Sequence, residues 1–307
     1  MERYDLLIVG AGAAGMAAAL GAAEAGARRV LLADRNDRPG GILPQCIHNG
    51  FGLSYYHEDL TGPEYAARFY ETLRATNAEL RLETTVLELR EDRTALLASR
   101  AGLERVGFGR CILCCGARER PIGALSVAGT RPAGVFTAGQ AQKLVNLGGW
   151  DVGRRIVILG SGDIGMIMAR RFTLLGREVV LMVEQNGALG GLARNRKQCI
   201  EAFHIPLRLR ATVTRVHGWP RITGVTVRDL ETGAETLVPC DTLVTAVGLI
   251  PERELAAPLL REGEAPDWLS FAGNCDRIHE IVDSVSTEAW ALGARITGKL
   301  SRAKRTT

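Results

Sequence analysis

At 307 residues, 46% hydrophobic and 23% charged, the chain is long enough for two domains with cores of their own and too apolar to be disordered. Its net charge of +4 comes from basic residues that are dispersed and not interleaved with aromatics, which excludes a nucleic-acid patch, and the basic stretch from Lys299 to Arg305 reads as a solvated terminus. Seven irregularly spaced cysteines point to a reducing compartment, and no apolar run approaches the ~20 residues that span a bilayer.

In chain order, the apolar run Asp5–Val9 predicts a strand that enters Gly10-x-Gly12-x-x-Gly15, followed by a helix over Ala13–Ala25 and a second strand ending at Asp34. Arg3 and the Ala-rich stretch have the cast of a signal peptide, but the glycine motif accounts for the same residues, so the reading is cytoplasmic. Thr61-Gly62-Pro63-Glu64 is a capping box that starts a helix through about Asn77. Thr84–Leu89 and Thr94–Ser99 alternate like hairpin strands, and Arg110–Cys115 reads as a buried strand. Cys111-x-x-Cys114 looks like half a metal site. Residues three apart on a strand face opposite ways, however, so no metal is assigned. Thr137 caps a further helix, and Arg155–Leu159 then runs into Gly160-x-Gly162-x-x-Gly165, a helix over Asp163–Leu175 and a strand ending at Glu184. Ile222–Arg228 and Glu235–Val238 form a second hairpin, and Asp241–Val247 a last apolar strand. Each half thus reads as a βαβ unit followed by a small antiparallel meander.

The two glycine motifs are an internal repeat. At an offset of 150, Ala19 matches Ala169, Gly26 matches Gly176, Asp34 matches Glu184 and Gly40-Gly41 matches Gly190-Gly191. In such a unit the first glycine permits the strand-to-helix turn, the second lets a diphosphate approach the backbone and the third lets helix and strand pack. The helix then offers free N–H groups and a positive dipole end to the phosphates. Asp34 and Glu184 can accept hydrogen bonds from ribose hydroxyls. Glu184 repels a 2′-phosphate, and Gln185 and Asn186 beside it carry no positive charge, which favours NADH over NADPH.

With Cys115-Gly-Ala-Arg-Glu-Arg-Pro121 and Phe271-Ala-Gly-Asn274 added to these motifs, the chain resembles the two-dinucleotide-binding-domain flavoproteins of the pyridine nucleotide–disulfide oxidoreductase superfamily. Gly40–Gly50 and Arg131–Gly139 resemble most the small flavoproteins that accompany anaerobic glycerol-3-phosphate dehydrogenases, near the FAD-binding subunits of opine- and sarcosine-type dehydrogenases. The resemblance implies an α/β protein of two Rossmann-like domains, FAD then NAD, with no C-terminal dimerisation domain. Residues 1–122 and 252–307 would bind FAD, and 123–251 NAD. Gly10, Gly12, Ala14, Gly15, Asp34, Arg35, Gly41, Gly116, Gly273 and Asn274 would line the FAD site. Gly160, Gly162, Asp163, Ile164, Glu184 and Gly248 would line the NAD site. A helix over Ile278–Thr297 would point its dipole at the flavin.

The sequence departs from the family in having no redox-active cysteine pair in either unit, which speaks against disulfide reduction, and Arg253–Ser270 is too short for a final FAD-domain strand. Cys46 and His48 are the candidates for chemistry at the flavin, a thiol to tune it and a ring to move a proton; the competing reading is a packed Cys and a hydrogen-bonded His. His279 and Glu280 would lie early in the final helix, near the flavin or serving as its cap, and His57, His204 and His217 would be surface residues. The activity implied is electron transfer between NAD(H) and FAD beside a second redox protein, either a flavin dehydrogenase or an iron–sulfur protein. Two alternatives remain: a non-catalytic scaffold role within such a complex, or a stand-alone flavin enzyme acting on an amine or imine. The oligomeric state is left open.

Overall fold

The computed structural model describes residues 1–303; the side chains of the basic stretch Lys299–Arg305 lie outside what it describes. The chain divides into two compact units: Met1–Arg118 with the chain from Ile250 onward, and Glu119–Leu249. Residues 119–122 thus group with the second unit, because the Glu119 carboxylate accepts the Gly139 and Gln140 N–H groups at a helix start there (2.7 and 3.2 Å).

In the first unit, β1 (Arg3–Val9), β2 (Val30–Ala33), β3 (Ala78–Arg81), β4 (Thr85–Leu89), β5 (Thr94–Ser99) and β6 (Gly102–Leu113) form one sheet in the order β3-β2-β1-β6-β5-β4. Strand β2 and the Leu6–Val9 part of β1 are continuous apolar runs because both faces are covered. Leu6, Ile8, Val30 and Leu32 enter one core cluster, and Tyr4, Leu7, Val9, Leu31 and Ala33 the other. Strand β6 serves two partners: its first half pairs antiparallel with β5, and its second half lies parallel to β1 with Leu7 opposite Cys111. The strand expected only from Arg110 therefore begins eight residues earlier. Cys111 and Cys114 pack in different clusters.

A final strand, expected to be missing, is present. Leu269–Phe271 runs parallel to the end of β6, held where the Trp268 carbonyl accepts the Cys111 N–H at 2.8 Å and Trp268 packs on Phe108. Helix α1 (Ala13–Glu24) is almost all small residues because the last helix (Val282–Ala303) lies directly on it. A Cβ at Gly21 would stand 2.1 Å from the Trp290 carbonyl oxygen, and one at Gly293 would stand 2.0 Å from that of Ala18.

The second unit has a five-stranded parallel sheet, ordered Val135–Thr137, Thr242–Thr245, Arg155–Leu159, Glu178–Val183 and Leu207–Arg208. Beside it runs an antiparallel meander of Ala211–His217, Gly224–Asp229 and Glu235–Pro239. His57 and His204 are exposed, whereas His217 is half-buried and bonds Thr226 across the meander at 2.7 Å. Among the described residues no helix is long and apolar enough to cross a membrane.

Candidate functional site: two dinucleotide cradles

Each glycine motif folds into the same cradle. Gly10 takes φ +101° and Gly160 φ +100°. A Cβ there would stand 2.5 Å from the Cys114 carbonyl oxygen in the first unit and 2.2 Å from that of Ala246 in the second. The third glycines are excluded from bearing side chains too, since a Cβ at Gly15 or Gly165 would stand 1.7 or 2.7 Å from the carbonyl oxygen of Gly10 or Gly160. The middle glycines are different. Nothing lies within 4 Å of a Cβ on Gly162, and the Gly41 Cα at 3.8 Å is the nearest atom to one on Gly12. Helices α1 and α2 (Asp163–Leu174) begin at these open positions with no side-chain cap, which leaves their first-turn N–H groups without a side-chain acceptor, the arrangement an anion such as a diphosphate uses.

The buried acids are laced into the turn above. Asp34 accepts the Ala11 N–H at 2.6 Å and the Asn36 N–H at 2.8 Å. Glu184 accepts the Ser161 N–H at 3.0 Å, the Ser161 hydroxyl at 2.6 Å and the Asn186 N–H at 2.8 Å. In the first cradle the structure brings Gly41 against Gly12, and Gly273 against Ala14 at the start of α1, with Arg35 exposed beside Asp34. In the second, Asp163 accepts the Leu192 N–H and the Asn195 amide (2.8 and 2.7 Å), and Ile164 packs on the core. Gly116 and Gly248 sit at equivalent strand ends with φ +74° and +108° and open space around each.

Asn274 turns its Oδ1 to the His279 N–H at 3.0 Å. The His279 ring bridges to Glu288 at 3.1 Å, and that hydrogen bond holds the Glu288 carboxyl below its usual range. His279 and Glu280 precede the last helix, which begins at Val282 rather than Ile278. Its first turn carries buried Asp283, whose carboxylate accepts N–H groups of Gly52, Ser54 and Tyr55 (2.9, 2.7 and 3.2 Å). The positive end of the helix dipole thus has a carboxylate of the chain's own in its first turn.

Cys46 is buried, its thiol 3.5 Å from the Ile42 carbonyl oxygen and pushed up to about 12 by burial. His48 bonds the Asn49 carbonyl at 3.0 Å and packs on Phe51. These surroundings favour the packed Cys and the hydrogen-bonded His. Cys115 is likewise pushed up to about 12 by burial, and all seven cysteines are free thiols.

The sequence reading missed Asp283 and Glu119, and with them a second stretch of the internal repeat: Leu80-Arg-Leu-Glu83-Thr-Thr-Val86 repeats as Leu207-Arg-Leu-Arg210-Ala-Thr-Val213. The offset there has fallen to 127, so a search at constant spacing passes over it.

Over residues 4–265 the chain matches the family described as pyridine nucleotide-disulphide oxidoreductase, and it belongs to that family, whose members typically bind FAD and NAD(P). It is 28% identical over 278 residues to an opine oxidase subunit from Agrobacterium tumefaciens (strain Ach5), covering 82% of this chain and 54% of that one. It is 29% identical to the alpha subunit of sarcosine oxidase from Rhizobium meliloti (strain 1021), covering 86% of this chain and 26% of that one. The chain thus spans about half or less of the length of these relatives. The fold is that of thioredoxin reductase from T. acidophilum, with a TM-score of 0.79 at 21% identity over 97% of this chain and 99% of that one.

Proposed function

We propose that the chain is an FAD-dependent oxidoreductase that passes hydride or electrons between NAD(H) and bound FAD, as one subunit of a dehydrogenase complex of glycerol-3-phosphate or opine/sarcosine type. The first unit would hold FAD through its glycine cradle with Asp34, Arg35, Gly41, Gly116, Gly273 and Asn274. The second would hold NAD through Gly160, Gly162, Asp163, Ile164, Gly165, Glu184 and Gly248. When bound, FAD would supply the redox chemistry. The protein's part is to receive each diphosphate on uncapped helix N–H groups, accept ribose hydroxyls on buried carboxylates and fix both nucleotides in place. Asn274, its oxygen engaged by His279, has its amide N–H groups left to donate.

The observation that carries this reading is the duplicated cradle, open at Gly12 and Gly162 and closed to side chains at every other motif glycine. Burial keeps the Cys46, Cys115 and Cys275 thiols protonated, which supports a flavin-to-partner route over thiolate exchange. The complex is supported by relatives that are named as subunits and are longer than the span matched here. Seven free thiols support a cytoplasmic setting. Anaerobic addition of NADH to the purified yellow protein should bleach the flavin absorbance; a spectrum that stays oxidised overturns the NAD half of the reading.

A further inference from the structure

The two cradles carry opposite charges at one equivalent position. After each acid the chain makes the same lacing. The Asp34 N–H donates to the Arg81 carbonyl, Thr84 N–H to Asp34 and Glu83 N–H to Asn36; the Glu184 N–H donates to Arg208, Ala211 N–H to Glu184 and Arg210 N–H to Asn186. Glu83 and Arg210 are the left-handed residues of the two turns, at φ +48° and +50°. Each is ion-paired to the second turn of its own meander, Glu83 to Arg100 and Arg210 to Glu231, so the polarity of the pair is reversed between the units. The Arg210 stem crosses the turn that follows Glu184: a Cβ on Gly187 would stand 3.0 Å from Arg210 Nε.

The acid at this place in a dinucleotide fold serves the ribose 2′-hydroxyl, and an arginine beside it accommodates a 2′-phosphate. This chain has both within one turn. The Arg210–Glu231 pair is more than half exposed on both sides, a kind of ion pair that contributes little and is readily exchanged. A phosphate group, with a charge of roughly −2 and three acceptor oxygens, is a stronger partner than a carboxylate. We propose that Arg210 is a latent 2′-phosphate contact, and that the second cradle selects NAD over NADP through the charges of Glu184 and Glu231 and not through any lack of a cation. This rests on the second cradle binding a pyridine dinucleotide.

The test is calorimetric titration of the full chain with NAD⁺ and with NADP⁺. E184Q removes the charge at nearly the same shape, keeping one oxygen for the donors of either Ser161 or Asn186, and should tighten NADP⁺ relative to NAD⁺ by about tenfold or more. R210Q in that background should abolish the gain, while R210Q alone should leave NAD⁺ within about twofold. E231Q, at an exposed position that does not depend on the buried turn, should tighten NADP⁺ by about two- to fivefold, again only where Arg210 is present. If E184Q/R210Q keeps the full gain while the unaltered chain binds NAD⁺, the role of Arg210 is overturned. If the unaltered chain binds neither dinucleotide, the nucleotide reading of the second cradle fails, and this proposal with it.

Discussion

The first cradle fastens its glycine loop with backbone and packing, and the second fastens the matching loop with polar side chains. In the first, the Gly40 N–H donates to the Ala11 carbonyl at 2.8 Å, and Gly40 sits against Pro44 and Ala66. In the second, the Gly190 N–H donates to Ser161 Oγ at 2.9 Å and Leu192 N–H to Asp163. Positions 11 and 13 are alanine where 161 and 163 are serine and aspartate. What the two share is the backbone geometry of an uncapped helix start among glycines; where they differ is in the side chains that fasten the loop. The glycine pattern alone therefore predicts two matching cradles, while in the function proposed above the choice of nucleotide lies in residues outside it.

The comparison breaks most sharply at the first glycines. Gly10→Ala and Gly160→Ala each force a Cβ to within 2.5 or 2.2 Å of a carbonyl oxygen at a left-handed φ, a cost of about 3 kcal/mol or more. We expect Gly10→Ala to purify colourless. Gly160→Ala should purify yellow and no longer be bleached by NADH. Absorbance spectra separate the two, and a colourless Gly160→Ala protein would contradict the division of labour between the cradles.

A smaller difference lies in the thiols. The first unit buries Cys46, Cys111, Cys114 and Cys275 and half-buries Cys115, and the second buries Cys199 and Cys240, all pushed upward by desolvation. An unfolded thiol ionises near its ordinary value of about 9, whereas Cys46, Cys115 and Cys240 keep their protons up to about 12 when folded. Between those values the unfolded chain binds fewer protons. Stability is therefore full below about pH 9 and falls as pH rises toward 12, by about 1.4 kcal/mol per pH unit for each such thiol. Urea midpoints followed across this window should fall, and Cys46→Ala with Cys115→Ala should flatten the fall more than Cys240→Ala does. Midpoints that ignore pH there would remove the distinction.

Much of the fold was legible because local signals and tertiary structure agree. The capping box at Thr61 and Glu64 forms as read, and α1 and α2 start at the residues their glycines indicate. The first half of β6 was hidden because Gly102, Glu104, Arg105 and Gly107 look like a turn until β5 supplies a partner. Leu269–Phe271 is too short to show a period. The last helix was placed too early because Ile278 and Ile281 continue its apolar spacing, whereas His279 is drawn to Asn274 and Asp283 to the 52–55 loop. At the site, glycines and terminal acids could be read from spacing. Arg210 could not, since its position follows from strand pairing across a connection of different length.

The central claim is that each chain holds two different dinucleotides at once. Calorimetric titration of NAD⁺ into the chain already carrying FAD tests it most directly. One NAD⁺ should bind per chain, with one FAD retained throughout. Displacement of FAD by NAD⁺ one for one, or no NAD⁺ uptake by the FAD-loaded chain, would contradict it.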